Sequence, residues 1–131
     1  MDRFIDKQPL FLSSETSIHH AIQKMIDLGK CNLLVYDKDQ NVVGIVTERD
    51  ILRKIAILAI DDKLSYNIST IMTRPVVFIE ESNVVAQVKR VFHSKKNRHF
   101  PIINRLGNSS VDDVQGMLTV TDFFKKYIDT F

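Results

Sequence analysis

The chain has 131 residues, 44% hydrophobic and 26% charged, the composition of an ordinary single folded body. Eighteen basic residues against sixteen acidic ones leave a formal charge of +2, which gives no general electrostatic ground for binding nucleic acid or an anionic membrane. The one cysteine, Cys31, excludes an intrachain disulfide, and no Cys/His spacing of a zinc site is present, so a reducing compartment is expected.

In chain order, Met1 to Lys7 carries charges with no long apolar core behind them. No apolar run anywhere approaches the roughly 20 residues that cross a bilayer, so a cytoplasmic protein without a membrane partner is expected. Pro9 to Leu12 suggests a short strand, followed by a polar stretch able to cap a helix. Ile18, Ala21, Ile22, Met25 and Ile26 then fall on one helical face. Leu33 to Tyr36 and Val42 to Val46, joined by the turn residues Asp37 to Asn41, predict a strand hairpin. A second helix is expected from Thr47 through Ile51, Leu52, Ile55 and Leu58. From Ile51 to Ile60 it is apolar nearly all round, with only Arg53 and Lys54 charged. A helix wetted on one side does not have this composition, and a second copy of the chain is the expected cover for the surplus apolar face.

The same order then returns. Pro75 to Ile79 predicts a strand, and Val84, Val85, Val88, Val91 and Phe92 share a helical face. Phe100 to Ile103 and Val114 to Leu118 predict a hairpin, and a helix follows from Thr119 through Phe123, Phe124, Tyr127 and Ile128. Pro9-Leu10-Phe11-Leu12 matches Pro75-Val76-Val77-Phe78 at an offset of 66, and Gly44 to Asp50 matches Gly116 to Asp122 at an offset of 72. The extra residues fall mainly in the loop-like stretch from Asn104 to Val114. The chain is therefore expected to be a tandem duplication, residues 1–66 and 67–131, each copy β-α-β-β-α. A mixed α/β (α+β) fold follows, with the two repeats packed as a pseudo-twofold pair sharing one core. One copy of about 60 residues buries too little surface to be comfortable alone.

The tightest repeated feature is Gly-x-x-Thr-x-x-Asp at a strand-to-helix junction: Gly44, Thr47 and Asp50, then Gly116, Thr119 and Asp122. One consequence of the spacing is a capping box, the threonine capping the helix and the carboxylate reaching back to the cap amide. A second is a ligand site. Bare amides and the positive dipole end at a helix start suit a phosphate, a nearby carboxylate accepts from ribose hydroxyls, and glycine permits close backbone approach. Arg49 offers a fork of donors to a phosphate, where the other copy has Thr121.

These residues resemble the tandem CBS-domain pair, or Bateman module, over essentially the whole chain. The resemblance is carried by Ile71-Met72-Thr73-Arg74-Pro75, Arg98-His99-Phe100-Pro101-Ile102-Ile103 and Gly44-Ile45-Val46-Thr47-Glu48-Arg49-Asp50-Ile51-Leu52. It implies binding of an adenosine ligand, AMP, ADP, ATP or S-adenosylmethionine, in clefts between the repeats, with no cofactor required. By position it implies ribose at Asp50 and Asp122, and ribose or phosphate near Thr47 and Thr119. Arg98 and His99 match basic positions that meet phosphate, and Leu10, Phe11, Val76 and Val77 match the strand lining the adenine pocket. The first copy has Cys31-Asn32 where the second has Arg98-His99, so the two sites are expected to differ.

No nucleophile, base and orienting acid group together, so no enzymatic activity and no catalytic residue are expected. His19 and His20 are adjacent on a helix and lack the i, i+4 spacing of a metal pair, so no metal is assigned. The expected function is a regulatory sensor that shifts its conformational population on binding ligand and signals to an effector protein not identified by the sequence. The alternatives are a dimerisation scaffold with an empty cleft, and a nucleic-acid binder using Lys95, Lys96 and Arg98. The latter basic run has no interleaved aromatic platform, and nucleic acid is not the expected partner.

Overall fold

Ser17 opens the first helix. Its backbone is extended, and its hydroxyl accepts from the His20 amide at 3.0 Å, satisfying one of the donors a helix start leaves over. The helix, α1 (Ile18–Leu28), ends at Gly29, whose φ of 63° is the left-handed conformation that a residue without Cβ adopts at low cost. Ile18, Ala21 and Met25 are buried and Ile22 packs beside them, whereas Ile26 is 68% exposed. Ile26 stands about 80° round the helix from Ile18, at the edge of the apolar face rather than on it.

The structure is a computed structural model that describes residues 5–57, 63–91, 98–105, 107–121 and 123. In chain order its strands and helices are β1 (Ile5–Asp6), β2 (Phe11–Ser13), α1, β3 (Asn32–Tyr36), β4 (Val42–Thr47) and α2 (Glu48–Ile57), then β5 (Ile79–Glu80), α3 (Val84–Val91), β6 (His99–Ile103) and β7 (Val114–Thr119). Val120, Thr121 and Phe123 are helical after β7. Both copies thus run strand, helix, hairpin, helix, as their periodicity predicts, in a mixed α+β fold. The strand expected from Pro75 is shorter, because only Ile79 and Glu80 pair with a neighbour, parallel to β6. Leu58, Ala59 and Ile60 of the apolar helix, and Phe92, Phe124, Tyr127 and Ile128, lie outside the described residues. Among the described residues no helix is long and apolar enough to cross a membrane.

The chain forms two compact units, one Leu10–Val76 and the other the described parts of Met1–Pro9 and Val77–Phe131. The first holds a three-stranded sheet ordered β2-β3-β4, with β2 parallel and β4 antiparallel to β3. Leu33, Val35 and Val46 point from this sheet toward Leu10, Ile18, Ala21, Met25 and Ile51, with Ile68, Ile71 and Met72 completing the core. The second unit holds the four-stranded sheet β1-β7-β6-β5. Its core gathers Ile79, Val84, Val88, Phe100, Ile102, Leu118, Val120 and Phe123.

Each copy lends its own leading segment to the other copy's sheet. β1 leads the first copy, ahead of β2, yet pairs antiparallel with β7, Ile5 opposite Leu118 and Asp6 opposite Met117. Reciprocally, Thr73 lies in the leading segment of the second copy and bridges Ile45 of β4 through two backbone bonds of 2.8 and 3.0 Å. The glycines of the repeated motif make room for these crossings. A Cβ on Gly44 would overlap the Met72 side chain, and one on Gly116 would overlap Ile5 and the Asp6 carbonyl. The close approach expected at these glycines is therefore made by the chain itself.

Candidate functional site

The first strand-to-helix corner lies where β4 ends at Thr47 and α2 begins at Glu48. Because partners across adjacent strands share a face, Asn32 opposite Thr47, Leu34 opposite Ile45, Phe11 opposite Leu34 and Thr73 opposite Ile45 all stand on the side of the sheet away from α1. Phe11 is thus on the face of Thr47, while Leu10 is used in the core beneath α1.

Thr47 and Asp50 form the capping box that their spacing predicts. The Asp50 amide donates to Thr47 Oγ1 at 3.1 Å, and the Thr47 amide donates to Asp50 Oδ2 at 3.0 Å. The Thr47 hydroxyl also reaches Oδ2 at 3.0 Å, and the Thr73 hydroxyl donates to Oδ1 at 3.3 Å. The Glu48 amide is taken by the Cys31 carbonyl at 3.0 Å. Two of the amides expected to be bare are therefore satisfied within the chain, which leaves the corner less suited to a phosphate than a naked helix start. What it retains is a half-buried carboxylate. Of the about four acceptor positions a carboxylate offers, donors from the described residues fill three, and the remaining one is on Oδ1. Arg49 is exposed on the first turn of α2.

The second corner repeats this backbone plan with different side chains. His99 stands opposite Thr119 as Asn32 stands opposite Thr47, and the Arg98 carbonyl accepts from the Val120 amide at 2.9 Å as Cys31 does from Glu48. His99 and Thr119 are half-buried, and Arg98 and Thr121 are exposed. Asp122, like Lys95 and Lys96, lies outside the described residues. Val77 packs on the second unit's core, whereas Val76 is the last residue of the first unit. By register, Asp6 opposite Met117 holds the place that Thr73 holds opposite Ile45, since 117 − 45 equals the motif offset of 72. A carboxylate on one crossing segment thus answers a hydroxyl on the other. Neither Asp6 nor Thr73 is singled out by sequence, although Thr73 lies within the Ile71 to Pro75 run.

A separate groove of about 660 Å³ runs between α1 and α2, lined by Ile22, Met25, Ile26, Ile51 and Leu52 with Lys30, Cys31 and Glu48 among them. Leu52 is 70% exposed beside it. Among the described residues no cluster of His, Cys, Asp or Glu has the makings of a metal site.

The model of the CBS domain matches residues 2–57 and again residues 68–129. The chain belongs to the CBS-domain family. As a CBS pair it is similar to a crystal structure of a CBS domain, at 29% identity and a TM-score of 0.74 over 93% of this chain and 89% of that one. It has the fold of the CBS-domain pair of protein MJ0100, solved with 5′-methylthioadenosine and S-adenosyl-L-methionine, at 23% identity and a TM-score of 0.76 over 98% and 94% of the two chains. It is also 29% identical over 116 residues, 88% of its length, to an inosine-5′-monophosphate dehydrogenase of Nitrosopumilus maritimus. The chain spans only 22% of that enzyme, and 36% of another curated relative it matches.

Proposed function

We propose that this CBS pair is a regulatory module that senses an adenosine-type ligand, AMP, ADP, ATP or S-adenosylmethionine, and is not itself an enzyme. The observation that carries this reading is the Asp50 carboxylate, immobilised at a strand-to-helix corner with acceptor capacity left on Oδ1. A rigid acceptor of this kind suits the vicinal hydroxyls of ribose, and Phe11 on the same sheet face supplies an aromatic surface for a base. The adenosine ligands of the MJ0100 CBS pair support the same class of ligand. In the second copy, Arg98 and His99 supply the basic groups for a phosphate beside Thr119 and Thr121, with Asp122 the ribose acceptor by motif, and Arg49 does so in the first. Val76 and Val77 are assigned to the adenine side of that site.

Signalling then follows by population shift: a ligand held better by one arrangement of the module favours that arrangement, and an effector protein detects it. The α1–α2 groove, with Ile26 and Leu52 exposed on its flanks, is assigned to a second copy of the chain, making the module a homodimer. A scaffold without ligand is the competing reading, and melting curves separate the two. A true ligand at 100 times its Kd should add about 2.7 kcal/mol of stability. In the Asp50→Ala variant the part of that gain due to the first-copy site should disappear. No shift with any of the four compounds would establish the scaffold instead.

A further inference from the structure

We infer that Thr73, on the segment that enters the second copy, is a positioning residue that aims the Asp50 carboxylate at the ligand's vicinal diol. The inference rests on the assignment of Asp50 to ribose. Thr47 alone holds Asp50 by one oxygen: its amide and hydroxyl both reach Oδ2. The Cβ–Cγ torsion of a carboxylate is broad and carries both oxygens together, so the bonds on Oδ2 restrain it but leave some freedom at Oδ1. The Thr73 hydroxyl closes that freedom by donating to Oδ1 at 3.3 Å.

Thr73 is able to do this because its own backbone is fastened. It exchanges both backbone bonds with Ile45, at 2.8 and 3.0 Å. On one side of it the Met72 side chain fills the space that Gly44 leaves open. Further back, Lys54 of α2 donates through Nζ to the Ile71 carbonyl at 3.1 Å. The crossing segment is thus clamped to the same strand and helix that carry Thr47 and Asp50. One acceptor position on Oδ1 stays available while Thr73 occupies the other, so a ribose hydroxyl joins the network without displacing it.

The consequence is that grip on the ribose in the first copy depends on a residue whose covalent neighbours lead into the second. The second copy differs here, because Asp6 occupies the register position of Thr73 and a carboxylate cannot donate to another carboxylate when both are ionised. Among the described residues, this device is present at the first-copy corner.

The test is isothermal titration of the full chain and its Thr73→Val and Thr73→Ser variants with AMP, ATP and S-adenosylmethionine, and with the 2′,3′-dideoxy counterpart of each compound that binds. Thr73→Val should weaken the ligand with an intact diol about five- to tenfold, the size of one ordinary net hydrogen bond. Thr73→Ser should restore affinity to about the wild-type level, and the dideoxy ligand should bind wild type and Thr73→Val alike, since it has no diol to position. Equal binding of the intact ligand by wild type and Thr73→Val overturns the inference while leaving the sensor function standing. A loss of the same size with the dideoxy ligand also overturns it, by showing a general structural effect. Failure of the wild type to bind any of the three compounds overturns the ribose assignment itself, and the inference with it.

Discussion

Asp50 combines two duties that are separable by experiment. Its carboxylate caps α2 through the Thr47 amide and hydroxyl, and in the proposed function it also offers Oδ1 to a ligand. Replacement by alanine removes both, so the stability of the ligand-free protein should fall by about 1 kcal/mol for the lost cap. The glycine of the same motif is constrained for another reason. A Cβ on Gly44 meets the buried Met72 side chain, which has to move aside. Gly44→Ala should therefore destabilise the protein by about 1–3 kcal/mol, the range for overpacking a filled site. Urea unfolding checks this, and pairing Gly44→Ala with Met72→Ala should recover part of the loss relative to the sum of the single changes, because the two sites are in contact.

At the scale of elements, helix starts and faces follow from local chemistry. Ser17 caps α1 with its hydroxyl on the His20 amide, and Ser17→Ala should cost about 1 kcal/mol in thermal or chemical unfolding. The capping box of α2 joins residues three apart, so its spacing alone displays it. Strand faces are less legible when the strand is short. Leu10 and Phe11 are neighbours of similar hydrophobicity, yet Leu10 enters the core and Phe11 stands on the face of Thr47. Two or three residues do not establish a period of two, so the choice depends on pairing with β3. The exposed position of Ile26 has the same origin: the edge of a helical stripe is ambiguous until its neighbours are in place.

For the molecule as a whole, the exposed apolar residues around the α1–α2 groove bear on assembly. If a second copy covers this groove, Ile26→Glu and Leu52→Glu should each place a charge in an apolar contact and shift the protein toward monomer. Sedimentation velocity reads this directly, and unaltered secondary structure in the variants separates lost association from lost folding. Unchanged mass in both variants would assign the groove to something other than self-association. The two corners should also respond differently to ligand, because one carries Thr73 and Asn32, and the other Asp6 and His99, at equivalent register positions.

The sequence by itself determined the duplication, the order of strands and helices within each copy, the capping box at Thr47 and Asp50, and the family. Those features are written in spacings of two, three and four residues, or in long matches between the copies, and they survive without knowledge of what lies across a sheet. Tertiary structure alone decided that each copy's leading segment pairs with the other copy's hairpin, that Gly44 and Gly116 yield to those segments, and that Thr73 meets Asp50. These contacts join residues far apart in the chain through segments of two or three residues, too short for any period to show. Only the closing of backbone hydrogen bonds across the sheet selects them.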